Sequence, residues 1–120
     1  GNTLAVLHNA AGTEACAVRF NLKNLPWFSV WKNTADEKDG YVTGLEPATG
    51  LPHFKAIERR QNRVVRLGSG AMWDAKMSFQ IESGRSEVNQ LLSEVTALQG
   101  QEGPTVARHP DLNWSGLADK

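Results

Sequence analysis

The feature that most constrains this chain is a change of hydrophobic period at Ser83 and Gly84. Before that point, apolar residues come in short, alternating runs suited to strands. After it, Val88, Leu91, Leu92, Val95 and Leu98 recur at helical spacing and form one stripe. Strands are expected over 3–7, 14–20, 27–31, 41–46, 54–59, 63–67 and 76–81. Turn residues separate them: Asn9 and Gly12, Asn24 with Pro26, the polar run 33–40, the loop from Pro47 to Pro52, and Asn62. Ser86 is the expected N-cap of the helix and Gly100 its stop. The expected architecture is mainly β and forms one domain. An antiparallel β-sandwich region covers 1–82, a C-terminal helix 83–100 and an irregular tail 101–120.

A chain of 120 residues is long enough to bury roughly two-thirds of the surface its unfolded form exposes. Thirteen basic residues balance 13 acidic ones, for a formal net charge of zero. That balance argues against a general polyanion binder, so no nucleic-acid partner is expected. The nearest basic run, Arg59, Arg60, Arg63 and Arg66, reads as a solvated strand face. The single cysteine, Cys16, excludes an internal disulfide and reads as a small core residue. No apolar run is long enough to span a bilayer, and the N-terminus lacks a charged-then-apolar leader pattern. The expectation is a cytoplasmic protein with no membrane partner.

Glu46 carries the strongest chemical signal. A carboxylate at the end of a strand, followed at once by Pro47, has few ways to relax. Such support is what a positioned general base needs. On the preceding strand Trp27 and Trp31 share one face and Phe28 takes the other. Such rings either fill a core or stack on the apolar faces of sugars. His53 falls seven residues after Glu46, in or just beyond the proline-bounded loop, within reach of a shared pocket. Asp74 and Glu58 read as partners of arginines in surface ion pairs. His8, His53 and His109 have no metal-ligand spacing. No phosphate-cradling glycine loop, nucleophile elbow or zinc motif occurs, so neither metal nor cofactor is expected.

Two stretches carry a resemblance: Leu25-Pro26-Trp27-Phe28-Ser29-Val30-Trp31-Lys32-Asn33-Thr34 and Gly40-Tyr41-Val42-Thr43-Gly44-Leu45-Glu46-Pro47-Ala48-Thr49. They are similar to the C-terminal third of an uncharacterised family of aldose 1-epimerase-like proteins, in the galactose mutarotase-like superfamily. The similarity continues through Phe54 to Leu67, the strand from Lys76 to Ile81, the helix, and the tail at Asn113-Trp114-Ser115. The resemblance implies part of a large antiparallel β-supersandwich that binds an aldose or aldose derivative in an open cleft.

In mutarotases a late glutamate, in a strand reading roughly Leu-Glu-Pro, is the general base, and Glu46 matches it. The implied reaction takes the proton of the anomeric hydroxyl onto that carboxylate while an acid protonates the ring oxygen. The ring opens, the C1–C2 bond rotates, and closure gives the other anomer without a cofactor. The family's acid histidine lies in earlier segments, and no histidine here matches it. The resemblance therefore implies either a preceding N-terminal portion or assembly with another copy or a companion subunit. Trp31, Lys32, Thr49 and His53 are the expected sugar-contacting residues around Glu46. A non-catalytic carbohydrate-binding domain using the same residues, or a structural, self-associating domain, is the alternative.

Overall fold

Asn9 sets the first hairpin. Its side-chain Oδ1 accepts hydrogen bonds from the Thr13 and Glu14 amides at 2.9 and 3.3 Å, and its own amide donates to the Glu14 carbonyl at 3.0 Å. This tight Asn-centred turn joins β1 (Asn2–His8) to β2 (Glu14–Asn21) in antiparallel register, with Val6 opposite Ala17. On its other side β2 pairs antiparallel with β5 (Ser78–Ser83), giving the strand order β1-β2-β5. The computed structural model describes residues 1–112 and Trp114. It forms two compact units, Gly1–Asn21 with Lys76–Lys120, and Leu22–Ala75.

In the first unit, helix α2 (Arg85–Gln99) covers one face of the three-stranded sheet. Register explains the choice of face. Leu4 and Val6 of β1 lie beside Arg19 and Ala17 of β2, with Ala15 next along. The small Ala15 and Ala17 leave room for Val88 and Leu91 of the helix, and Leu92 and Val95 flank that core. At the margin, Arg19 donates both terminal guanidinium nitrogens to Glu94 of α2 and its Nε to Gln80 of β5 at 3.0 Å. This bidentate pair fixes the helix against the sheet, holding the Glu94 carboxyl below its ordinary range and the Arg19 guanidinium above its own.

The second unit is built on a two-stranded antiparallel ribbon of β3 (Trp27–Lys32) and β4 (Thr43–Ala48), followed by the short helix α1 (Lys55–Arg60). Between the strands, a single 3-10 turn at Glu37–Asp39 is closed by the Asp36 carboxylate accepting from the Lys38 amide. The antiparallel sheets and the long C-terminal helix agree with the expected mainly-β class.

Several local expectations are corrected. Residues 54–59 are not a strand: Lys, Ala, Glu and Arg favour helix over sheet, and α1 forms there. Residues 63–67 form no strand, because Arg63 turns inward to Glu58 and Val64 and Val65 line a hollow. Strand β4 runs through Pro47 rather than stopping before it, which a two-stranded ribbon tolerates because each strand has a free edge. Gly84, not Ser86, is the N-cap of α2. Cys16 is half-buried rather than a core residue: its cross-strand neighbours Leu7 and Ile81 are themselves exposed and do not cover it. The tail is irregular as far as it is described; Asn113 and Ser115, and the remainder of the expected tail, lie outside the described residues. Among the described residues no helix is long and apolar enough to cross a membrane.

If the packing of α2 on β1 and β2 holds the first unit together, Leu91→Ala should lower unfolding free energy by about 2–5 kcal/mol. Urea unfolding followed by far-ultraviolet circular dichroism would measure this, and the exposed Leu98→Ala should cost far less.

Candidate functional site

The register of the ribbon determines which side chains meet. Trp27 is opposite Ala48, Ser29 opposite Glu46, and Trp31 opposite Gly44. One face therefore presents Trp27, Ser29, Trp31, Gly44, Glu46 and Ala48, while Phe28, Val30, Lys32, Thr43, Leu45 and Pro47 take the other. Glu46 is the diagonal cross-strand neighbour of both tryptophans, at a separation of about 7–8 Å. Glu46 thus shares one surface with both tryptophans.

Gly44 is what lets the carboxylate lie there. A Cβ at this position would stand 2.8 Å from Glu46 Oε1 and 3.3 Å from the Trp31 Cβ. Glu46 folds back along its own strand into the space the missing side chain leaves, against the base of Trp31. Trp31 is 52% exposed and Glu46 is exposed as well. Among the described residues, no hydrogen bond or ion pair ties up the Glu46 carboxylate, so it is open to a ligand.

Beside Trp27 lies a buried ionic hub. Glu58, on α1, is only 2% exposed. Its Oε1 accepts from Arg63 Nη2 at 2.7 Å, and its Oε2 accepts from Arg63 Nε at 3.0 Å and from the Leu51 amide at 2.9 Å. The Arg63 amide in turn donates to the Glu58 carbonyl at 2.9 Å. The hydrogen bonds from Arg63 are the chief reason the Glu58 carboxyl is held below its ordinary range. Burial opposes them, and the Leu51 amide and the nearby charge of His53 assist. Arg63 also stands 5.7 Å from the centroid of the Trp27 ring, a cation–π distance. Gly50 makes room for all this: a Cβ there would fall 2.5 Å from the Arg63 carbonyl oxygen and 2.8 Å from Glu58 Oε2.

The expected site residues are distributed as follows. Trp31 and Glu46 are brought together on one face, whereas Lys32 pairs with Thr43 on the other. Thr49 follows β4 and lines an open hollow of about 510 Å³ with Lys55, Arg59, Val64, Val65 and Arg66. His53 precedes α1 on the side of Glu58. Glu58 is not a surface ion-pair residue but the buried centre of the unit. Nor do the four arginines share a solvated strand face: Arg63 is in the hub, and Arg59 and Arg66 line the hollow. On the short helix α1, Lys55 and Arg59, four apart, lie on one side. Among the described residues, no group of three His, Cys, Asp or Glu side chains is placed to hold a metal ion.

Residues 1–81 match a family model described as a domain of unknown function, DUF4432, and the chain belongs to that family. No curated protein matches the chain, and neither does any solved structure.

The hub gives a prediction with a definite sign in pH. A carboxyl whose folded-state pKa is lowered contributes stability that is complete above its unfolded value, about 4.3. That stability is lost as pH falls through the folded value. Glu58→Gln should therefore melt several degrees below the native chain at pH 7. The gap should narrow as pH drops below the ordinary carboxylate range, in thermal melts followed by tryptophan fluorescence.

Proposed function

We propose that the β3–β4 ribbon is a sugar-binding face of the aldose 1-epimerase type, with Glu46 as general base toward an anomeric hydroxyl. The observation that carries this reading is the exposed Glu46 carboxylate on the same ribbon face as Trp27 and Trp31, lying over Gly44 at the base of Trp31. Indole rings offer the flat apolar surface on which the C–H face of a pyranose stacks, and the carboxylate accepts hydrogen bonds from its hydroxyls. The Leu45-Glu46-Pro47 stretch that resembles the mutarotase base motif falls on this same face at Glu46. In the proposed reaction the proton of the anomeric hydroxyl passes to Glu46 as the ring C1–O bond breaks and the ring oxygen takes a proton. Rotation and the reverse steps return both protons.

A second reading, non-catalytic sugar binding, is favoured by one specific observation. Apart from Glu46, the ribbon face carries only Trp27, Ser29, Trp31, Gly44 and Ala48, and none of these is a general acid at neutral pH. In that case the ring oxygen receives its proton from a group beyond the ribbon, or no reaction occurs and the face only binds.

Exchange between the α and β anomers of an aldose, followed by NMR with and without the protein, separates the two. The catalytic reading predicts acceleration over buffer that Glu46→Gln removes; bound sugar without acceleration leaves the binding reading. Gly44→Ala is a sharper probe. The new methyl group meets a flexible carboxylate tip rather than backbone, so stability should change little while Glu46 is displaced from Trp31. Sugar affinity or anomer exchange should fall at least several-fold in this variant, and unchanged sugar handling would count against the face.

A further inference from the structure

The hollow beside the ribbon has its own chemistry. It is open, about 510 Å³, and its lining combines the cations of Lys55, Arg59 and Arg66 with the Thr49 side chain and the apolar flanks of Val64 and Val65. No carboxylate lines it. Among the described residues none of the three cations has an ion-pair partner, whereas the neighbouring Arg63 is fully engaged by Glu58. Three like charges facing one concavity repel one another, and in a chain of zero net charge this concentration is local rather than a general excess. A concavity lined by one sign of charge raises the local concentration of counter-ions.

The positions are supplied by defined backbone. Lys55 and Arg59 are four residues apart on α1 and so project from one side of that helix. Arg66 and the two valines come from the segment that follows Arg63, whose course is pinned by the Glu58 hub. Thr49 directly follows the strand that carries Glu46. Guanidinium groups match the oxygens of a tetrahedral oxyanion by paired hydrogen bonds, and a lysine adds charge.

We propose that this hollow binds the phosphate group of a small phosphomonoester. A dianion answers three converging cations better than a single carboxylate does, and Val64 and Val65 offer an apolar wall to the carbon skeleton beside the phosphate. The inference stands apart from the sugar reading, because it uses neither Glu46 nor the tryptophans.

The test is a titration of the full chain with inorganic phosphate, then with glucose 6-phosphate and glucose in parallel, followed residue by residue in amide NMR spectra. Phosphate should shift residues 49, 55–59 and 64–66 in a saturable, salt-sensitive way, and glucose 6-phosphate should shift the same set. Arg59→Gln and Arg66→Gln should each weaken phosphate binding about tenfold, while Glu46→Gln and Arg108→Gln, neither of which lines the hollow, leave it unchanged. Shifts scattered over basic residues generally, no saturation at tens of millimolar, or native affinity retained in the two arginine variants would overturn the proposal. A carboxylate sugar such as glucuronate binding as tightly as the phosphate ester would overturn the assignment to phosphate. Phosphate bound here with no aldose on the ribbon would leave this site standing and remove the sugar reading. An aldose on the ribbon with no phosphate here would do the reverse.

Discussion

The second unit depends on one buried carboxylate. Glu58 is 2% exposed, and taking an ionised group out of water is tolerable only when its lone pairs are filled. Arg63 and the Leu51 amide fill them, and each bond ties a different piece of chain to α1. The Leu51 bond anchors the loop after β4. The Arg63 bonds turn the chain back after the helix, and Arg63 then rests against Trp27 at the start of β3. Ribbon, loop, helix and returning segment are joined through one ion pair, with Gly50 leaving the space it occupies. Both candidate sites inherit their geometry from it: Trp27 belongs to the ribbon face, and Arg59 and Arg66 flank the hub on either side in sequence.

The first unit uses different physics. Its helix is held by apolar packing of Val88 and Leu91 into the shallow surface above Ala15 and Ala17, and the Arg19–Glu94 pair at the rim adds orientation. That rim pair is partly exposed, so solvent and salt screen it, and burial of the apolar stripe dominates. The other sheet face is less fully covered. Phe79 and Ile81 of β5 are 69% and 81% exposed, although Val18 on the adjoining strand is buried.

Much of this was legible in the residues, and the reasons are specific. Two-residue alternation in β2 and the helical recurrence from Val88 to Val95 are strong periodic signals, and the elements formed where those signals lie. The shared face of Trp27 and Trp31 follows from strand geometry alone. What could not be read was the partner strand's register, and it is register that puts Glu46 diagonal to both rings. The segment 54–67 was misread because its six-residue helix is too short to show a period, and because Glu58 looks like any surface carboxylate until Arg63 is folded onto it. Burial of a charge is a tertiary fact. The cation-lined hollow is equally a tertiary fact, since it needs the segment after Arg63 folded back beside α1.

The face bearing Trp27, Trp31 and Glu46 is the proposed meeting point with a sugar. The most direct measurement is a titration of the protein with a panel of aldoses, followed through the indole N–H signals of Trp27 and Trp31 and the amides of Gly44 and Glu46 in one NMR spectrum. Saturable shifts concentrated on Trp31, Gly44 and Glu46 are expected. Shifts that appear elsewhere while these signals stay fixed, or no shifts with any aldose at tens of millimolar, would contradict this proposal.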